Sequence, residues 1–283
     1  MSDWRVFLKL GRVSNLPTVW SNVAAGAVLS GQPPSPPTLL ILLLALSLIY
    51  TAGMFLNDAF DRRIDQLERP ERPIPSGQVS AAAVFAAGFA MLGAGVLLLA
   101  AMGRPALLAG LLLAGLVLLY DLHHKGNAFS PLLMGLCRAL VYIAAALAVT
   151  GGQLPPPVWL GAGALLAYLI GLTYAAKHEQ SGRIQRLLPL LGLAAPLLYL
   201  PTQPPNWLLL PGLALFVAWV GRCVWLAMFR NQRDIRAAVG GLIAGISLAD
   251  ALLMASHGMA AWALAGALAF LLTTQFQQRI AGT

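Results

Sequence analysis

"FLNDAFDRRIDQLERPERPIPSG", residues 55–77, lies between two long apolar runs and holds Asp58, Asp61, Asp65, Glu68 and Glu71. That is half of the chain's ten acidic residues, in a protein that is 59% hydrophobic and 10% charged. Such a composition excludes an ordinary soluble domain and places the chain in the bilayer class. Working outward from the window, apolar runs fall near 14–31, 38–56, 80–101, 104–120, 131–150, 157–176, 187–202, 207–229, 237–255 and 259–276. Most approach the roughly 20 residues that a helix needs to cross the hydrocarbon core. The weakest are the first, which carries Ser14, Asn15 and Asn22, and the seventh, which is short and holds Pro189 and Pro196.

Charge tests this arrangement. Arg5, Lys9 and Arg12, the arginines of 62–72, Lys125, Lys177 to Arg186, Arg230 to Arg236 and Arg279 fall at one set of helix ends, whereas the opposite loops carry only Arg104. The positive-inside rule makes the charged set cytoplasmic. The net charge of +8 then follows from topology and lipid headgroups, without nucleic acid as a partner. "MSDWRVFLKLGR" reads as amphipathic, not as a cleavable signal. Cys137 and Cys223 read as inert helix residues. The expected whole is one all-α membrane domain over 1–283, with about nine to ten transmembrane helices.

Polar chemistry concentrates at three of the charged ends: the 55–77 window, "YDLHHKG" (120–126) and "TYAAKHEQSGR" (173–183). If the second span continues as a helix past Leu56, Asp58, Asp61 and Asp65 occupy i, i+3 and i+7, and Asn57 lies four residues before Asp61. All four then share one face. Stacked carboxylates repel unless a cation sits among them, and hard oxygen ligands select magnesium. Magnesium shares its shell with substrate phosphates, so a diphosphate is the natural partner, and Arg62, Arg63, Arg69 and Arg72 suit the same anion. "RPERPIPSG" reads as a Pro-stiffened loop over a cavity mouth. The plain alternative is a solvated cap of loosely paired Asp and Arg, which the Asn-Asp-x-x-Asp-x-x-x-Asp spacing disfavours.

With these residues in view the chain resembles the UbiA superfamily of intramembrane prenyltransferases. Asn57, Asp58, Asp61 and Asp65 match its first aspartate motif, "RPERPIPSG" resembles the segment after it, and "GRVSNLPTVWSNVAAG" (11–26) is similar to its first helix. "SNLPTVW" and "TAGMFLNDAFDR" look most like the EboC-like branch. The resemblance implies a helical bundle around a lateral, lipid-open cavity. There a magnesium-bound isoprenyl diphosphate loses its diphosphate, and a lipophilic or aromatic acceptor attacks the allylic cation. It assigns catalysis to Asp58, Asp61 and Asp65 as metal ligands. It also places Asn15 facing the pocket and makes Tyr120 and Lys125 diphosphate contacts, although their spacing is one residue longer than the family's Tyr-x-x-x-Lys.

Arg138, two turns into a span, is expected either to face the cavity or to snorkel to the headgroups. The second motif of the family, Asp-x-x-x-Asp, is absent: "TYAAKHEQSGR" offers only Glu179. Tyr174 and Lys177 are the expected substitutes there, Lys177 as a compact positive charge that takes over part of a metal's work. His123 and His124 are too weakly placed for a metal site. Asp250 is unexplained inside the ninth span, with Arg222 a partner of doubtful depth. Prenyl transfer is the leading function, in a bacterial inner membrane with the site facing the cytoplasm. A non-catalytic binder or transport-associated protein on the same fold is the alternative, and a conventional secondary transporter comes third.

Overall fold

In the computed structural model the residues described are 4–178, 188–200, 206–229 and 234–280. A short helix α1 (Trp4–Leu10) leads through a 3-10 turn (Val13–Asn15) into α2 (Leu16–Leu29). There follow α3 (Pro36–Glu68), α4 (Ala81–Ala100), α5 (Arg104–His123), α6 (Ser130–Thr150) and α7 (Pro156–Lys177). A second 3-10 stretch (Leu188–Ala194) precedes α8 (Ala195–Tyr199), α9 (Leu209–Met228), α10 (Ile235–Ser256) and α11 (Ala260–Gln277).

Among the described residues, eight helices are long and apolar enough to cross a membrane: α3–α7 and α9–α11. Leu40, Leu44, Leu108, Leu210 and Leu264 stay exposed on their outer faces, where lipid costs them nothing. The two spans read as weakest from sequence are the two that fall short. The first is a 14-residue helix, and the seventh is the 188–199 pair of short turns, where Gly192 packs so closely that a Cβ would lie 2.2 Å from the Ala167 carbonyl. Close backbone contact and Pro196 favour tight turns there over one continuous helix.

α2 and α6 stand at the centre. One buried cluster joins them to α7, α9 and α10, and another joins them to α3, α4 and α5. They approach closely: a Cβ on Gly26 would lie 2.5 Å from the Tyr142 carbonyl oxygen, the small-residue packing by which membrane helices associate. α3 starts at an N-cap, Ser35, whose hydroxyl accepts from the Thr38 amide, with proline in its first turn. At 33 residues it is roughly 50 Å long, so its last turns outrun the hydrocarbon core and carry the aspartates into polar surroundings. The helix does continue past Leu56, as their spacing requires.

Candidate functional site

One face of α3 forms a wall of a cavity of about 570 Å³. The stripe runs from Leu46 and Ile49 through Gly53 to Asn57, Asp61, Asp65 and Glu68, a span of roughly 33 Å. Its lower part is apolar, and α2, α5, α6, α7 and α10 add Val19, Val117, Val141, Leu169 and Ile246 to it. Its upper part is acidic and meets cations from three segments.

Asp58 and Asp65 both meet Arg72, at 3.3 and 2.7 Å, although Arg72 lies beyond the helix in the proline-rich loop. The expected strap over the mouth is therefore built through this arginine; the Ser76 hydroxyl donates to the Arg72 carbonyl at 2.7 Å and closes the turn. Burial pulls the Arg72 pKa down, and the facing carboxylates outweigh it and raise it. Asp61 meets His124 at 3.3 Å and Lys125 at 3.4 Å, and Lys125 reaches Asp65 at 3.7 Å. Arg12 stands 3.6 Å from Asp58. It has φ 42, the one positive φ outside glycine among the described residues. A left-handed arginine is strained, and this backbone turns the chain sharply between α1 and α2 where the guanidinium enters the cavity wall.

Asn15, Asn57, Asp61, Asp65, Arg72, Tyr120, Lys125, Arg138 and Lys177 all line the cavity. Asp58 lies just behind the wall and acts on it through Arg12 and Arg72. The Lys177 ammonium donates to the Asn127 carbonyl at 2.5 Å, and the Tyr120 ring stacks on His124 with centroids 4.9 Å apart. Two assignments change. Arg62 donates to the Ala59 carbonyl and lies over the Phe85 ring, away from the cavity lining, because its position on α3 faces α4. Tyr174 packs on the core and on the His178 ring instead of lining the cavity. Glu179 lies outside the described residues.

Sequence reasoning counted Arg12 only among the charged helix ends, set His124 aside and gave Asp121 no role. All three line the cavity. Lys125 pairs with Asp61 and Asp65, while Asp121 accepts from the Asn57 amide at 3.2 Å. The one available signal was the polar run in "YDLHHKG" at a helix end.

Deeper in the bundle, Arg138 resolves in favour of the cavity: it donates to Asn22 at 2.9 Å and lies over the Tyr50 ring. The other Asn22 amide atom donates to Asp250 at 2.8 Å, and Tyr142 donates to the same carboxylate. Arg222 is on Trp219 instead, so Asp250 belongs to Arg138's network.

Among the described residues, no three His, Cys, Asp or Glu side chains close around one point. Magnesium does not require that, since it takes one or two protein carboxylates and completes its shell with water and substrate phosphate. The hard oxygens of Asp58, Asp61 and Asp65, buried beside a cavity, fit such an ion.

Residues 16–248 match the family model described as the UbiA prenyltransferase family. The chain is 32% identical over 157 residues to the digeranylgeranylglyceryl phosphate synthase of Metallosphaera sedula, covering 54% of this chain and 55% of that one. It is 33% identical over 173 residues to the synthase of the same name from Methanopyrus kandleri, covering 59% and 60%. The matched stretch thus spans less than two thirds of either relative. In fold it is similar to a UbiA homolog from Archaeoglobus fulgidus bound to DMAPP and Mg2+, with TM-score 0.55 at 15% identity over 96% of this chain and 99% of that chain.

Proposed function

The chain belongs to the UbiA prenyltransferase family, and from that premise we propose that it transfers an isoprenyl group from its diphosphate to a lipophilic acceptor. The observation that carries the reading is the α3 stripe, which joins an apolar trough to a cluster of carboxylates and cations on one helix face. An isoprenyl diphosphate has the same division along its length.

Magnesium, which Asp61 and Asp65 in the wall would hold with Asp58 behind them, would offset the charge of the diphosphate and favour its departure. Arg72, Arg12 and Lys125 surround the same position, and their fixed charges stabilise the anion that forms as the C1–O bond breaks. Asn57, Tyr120 and Asn15 frame the reacting end, and Lys177 adds a further positive charge from the end of α7. The apolar trough excludes water from C1, so the acceptor's nucleophile takes the isoprenyl group and loses its proton. Arg138 bounds the inner wall, held on Asn22 and over the Tyr50 ring.

The acceptor is a polar lipid, in keeping with the synthase names of the Metallosphaera and Methanopyrus relatives; an aromatic acceptor, which the superfamily resemblance implies, is the competing class. The excess of Arg and Lys at these helix ends supports a mouth that faces the cytoplasm, and Cys substitutions at Gln153 and His257 should then label from outside intact cells while one at Ser76 should not. A second reading, a binder that catalyses nothing, draws on Lys177 standing where a carboxylate pair would be expected.

The deciding experiment supplies purified protein in nanodiscs with radiolabelled isoprenyl diphosphates of several lengths, magnesium and a lipid extract. Magnesium-dependent diphosphate release with a labelled lipid product, both lost in Asp61→Asn, is the expected result. Tight binding without release at any chain length leaves the binder.

A further inference from the structure

Among the described residues, three of the four buried carboxylates at the mouth have cationic partners, and the fourth does not. Asp58 meets Arg12 and Arg72, Asp65 meets Arg72 and Lys125, and Asp61 meets His124 and Lys125. Asp121, in the last turn of α5, is only 4% exposed. Its Oδ1 accepts from Asn57, while its Oδ2 is buried without a hydrogen-bond partner. The Nδ1 of His124, one turn on, is buried without a partner as well. A carboxylate so enclosed is costly unless something positive completes it. Lys125, the nearest cation along the chain, is turned to Asp61 and Asp65 instead.

Asp121 also faces the right space. It lines the cavity, and its bond to Asn57 sets it on the α3 stripe one turn below Asp61. The end of α7 reaches the segment after α5, where Lys177 donates to the Asn127 carbonyl, and it brings this cation to the cavity where the family resemblance leads one to expect a carboxylate pair. The end of α7 thus carries a cation where acid is expected, while the end of α5 adds a buried carboxylate beside its expected Lys125.

We propose that Asp121 is the ligand of a second divalent cation, which bridges it to the diphosphate from the α5 side and takes the place of the acidic motif missing after α7. The proposal rests on the diphosphate reading above. One carboxylate with a free oxygen, a neighbouring amide and the phosphate oxygens make a sufficient hard-oxygen set. Lys177 then faces the diphosphate from the wall that would otherwise carry the metal ligands.

The test counts metal directly. Wild-type protein in nanodiscs, with saturating inorganic diphosphate, is titrated with Mn2+ and free Mn2+ is read by electron paramagnetic resonance. About two Mn2+ per chain are expected, falling to about one in Asp121→Asn and recovering in Asp121→Glu. Asparagine keeps the shape and the acceptor for Asn57, and the thermal midpoint of each variant is recorded. A wild-type stoichiometry of one, or of two unchanged in Asp121→Asn, overturns the proposal; the wild-type count stands even if a variant fails to fold. No diphosphate-dependent Mn2+ binding at all, or binding insensitive to Asp58→Asn and Asp65→Asn, overturns the diphosphate reading itself.

Discussion

Two groups of buried polar residues lie in this bundle, built from similar side chains and finished differently. At the mouth, Asp58, Asp61, Asp65 and Asp121 stand among Arg12, Arg72, His124 and Lys125, and buried Asp121 and His124 atoms are left without partners among the described residues. In the middle of the membrane, Asp250 accepts from Asn22 and Tyr142, Asn22 accepts from Arg138, and Ser21 donates to Ser247. That inner network ties α2, α6 and α10 together, and none of its buried side-chain atoms is left unpaired among the described residues. Closed networks specify packing, whereas open ones hold places for something else. The two groups therefore differ in completeness as well as in position.

The largest expected effect is at the mouth. Asp61→Asn should lower turnover with an isoprenyl diphosphate by about 10²-fold or more, the size seen when a charge-stabilising group is removed from a reacting centre. The thermal midpoint should barely move, because His124 and Lys125 keep Asp65 and solvent as alternatives. Loss of folding together with turnover would make the mouth a structural cluster like the inner one.

The inner network should show the reverse. Asp250→Ala leaves the Asn22 amide and the Tyr142 hydroxyl without acceptors and Arg138 without its counter-charge, at a cost of about 3 kcal/mol. Unfolding in mixed micelles measures it. Magnesium-dependent diphosphate affinity of the folded fraction should hold. A stable Asp250→Ala protein that has lost diphosphate affinity would break the distinction between the two groups.

A third substitution sharpens the same point without touching charge. Gly26→Ala puts a methyl within 2.5 Å of the Tyr142 backbone oxygen, where backbone cannot yield as a side chain can. α2 and α6 must separate, and overpacking of this kind costs about 2 kcal/mol. The shift also lengthens the bond between Arg138 and Asn22, so stability should fall with no change in the metal requirement.

How much of this was legible beforehand depended on range. The α3 stripe needed only helical periodicity, so Asn57, Asp61 and Asp65 were readable from their spacing, and the apolar runs marked the eight long helices. Arg12 and Asp121 were not readable as site residues, because each acquires its role from a partner 46 and 64 positions away. Arg62 misled for the opposite reason. It stands beside Asp61 in sequence, but one residue along a helix is 100° around it, enough to turn the side chain onto Phe85. Asp250 was recognisable as expensive from its setting alone, while its partners on α2 and α6 were invisible without the packing.

The smallest expected effect is at Lys177, and it bears on how far the mouth cluster extends. Its ammonium is bonded to the Asn127 carbonyl and its side chain is exposed, so water already screens it and an exposed charge contributes little. Lys177→Ala should weaken inorganic diphosphate binding by about fivefold at most, measured by calorimetry at low salt. The loss should shrink as salt rises, since the Debye length falls to about 8 Å near physiological ionic strength. Lys177→Asp should not rescue it, because one carboxylate at that site adds repulsion toward diphosphate without a second ligand at the four-residue spacing of a metal motif. A loss as deep as that of Asp61→Asn, insensitive to salt, would move Lys177 from the rim into direct contact with the reacting diphosphate and extend the open group across to α7.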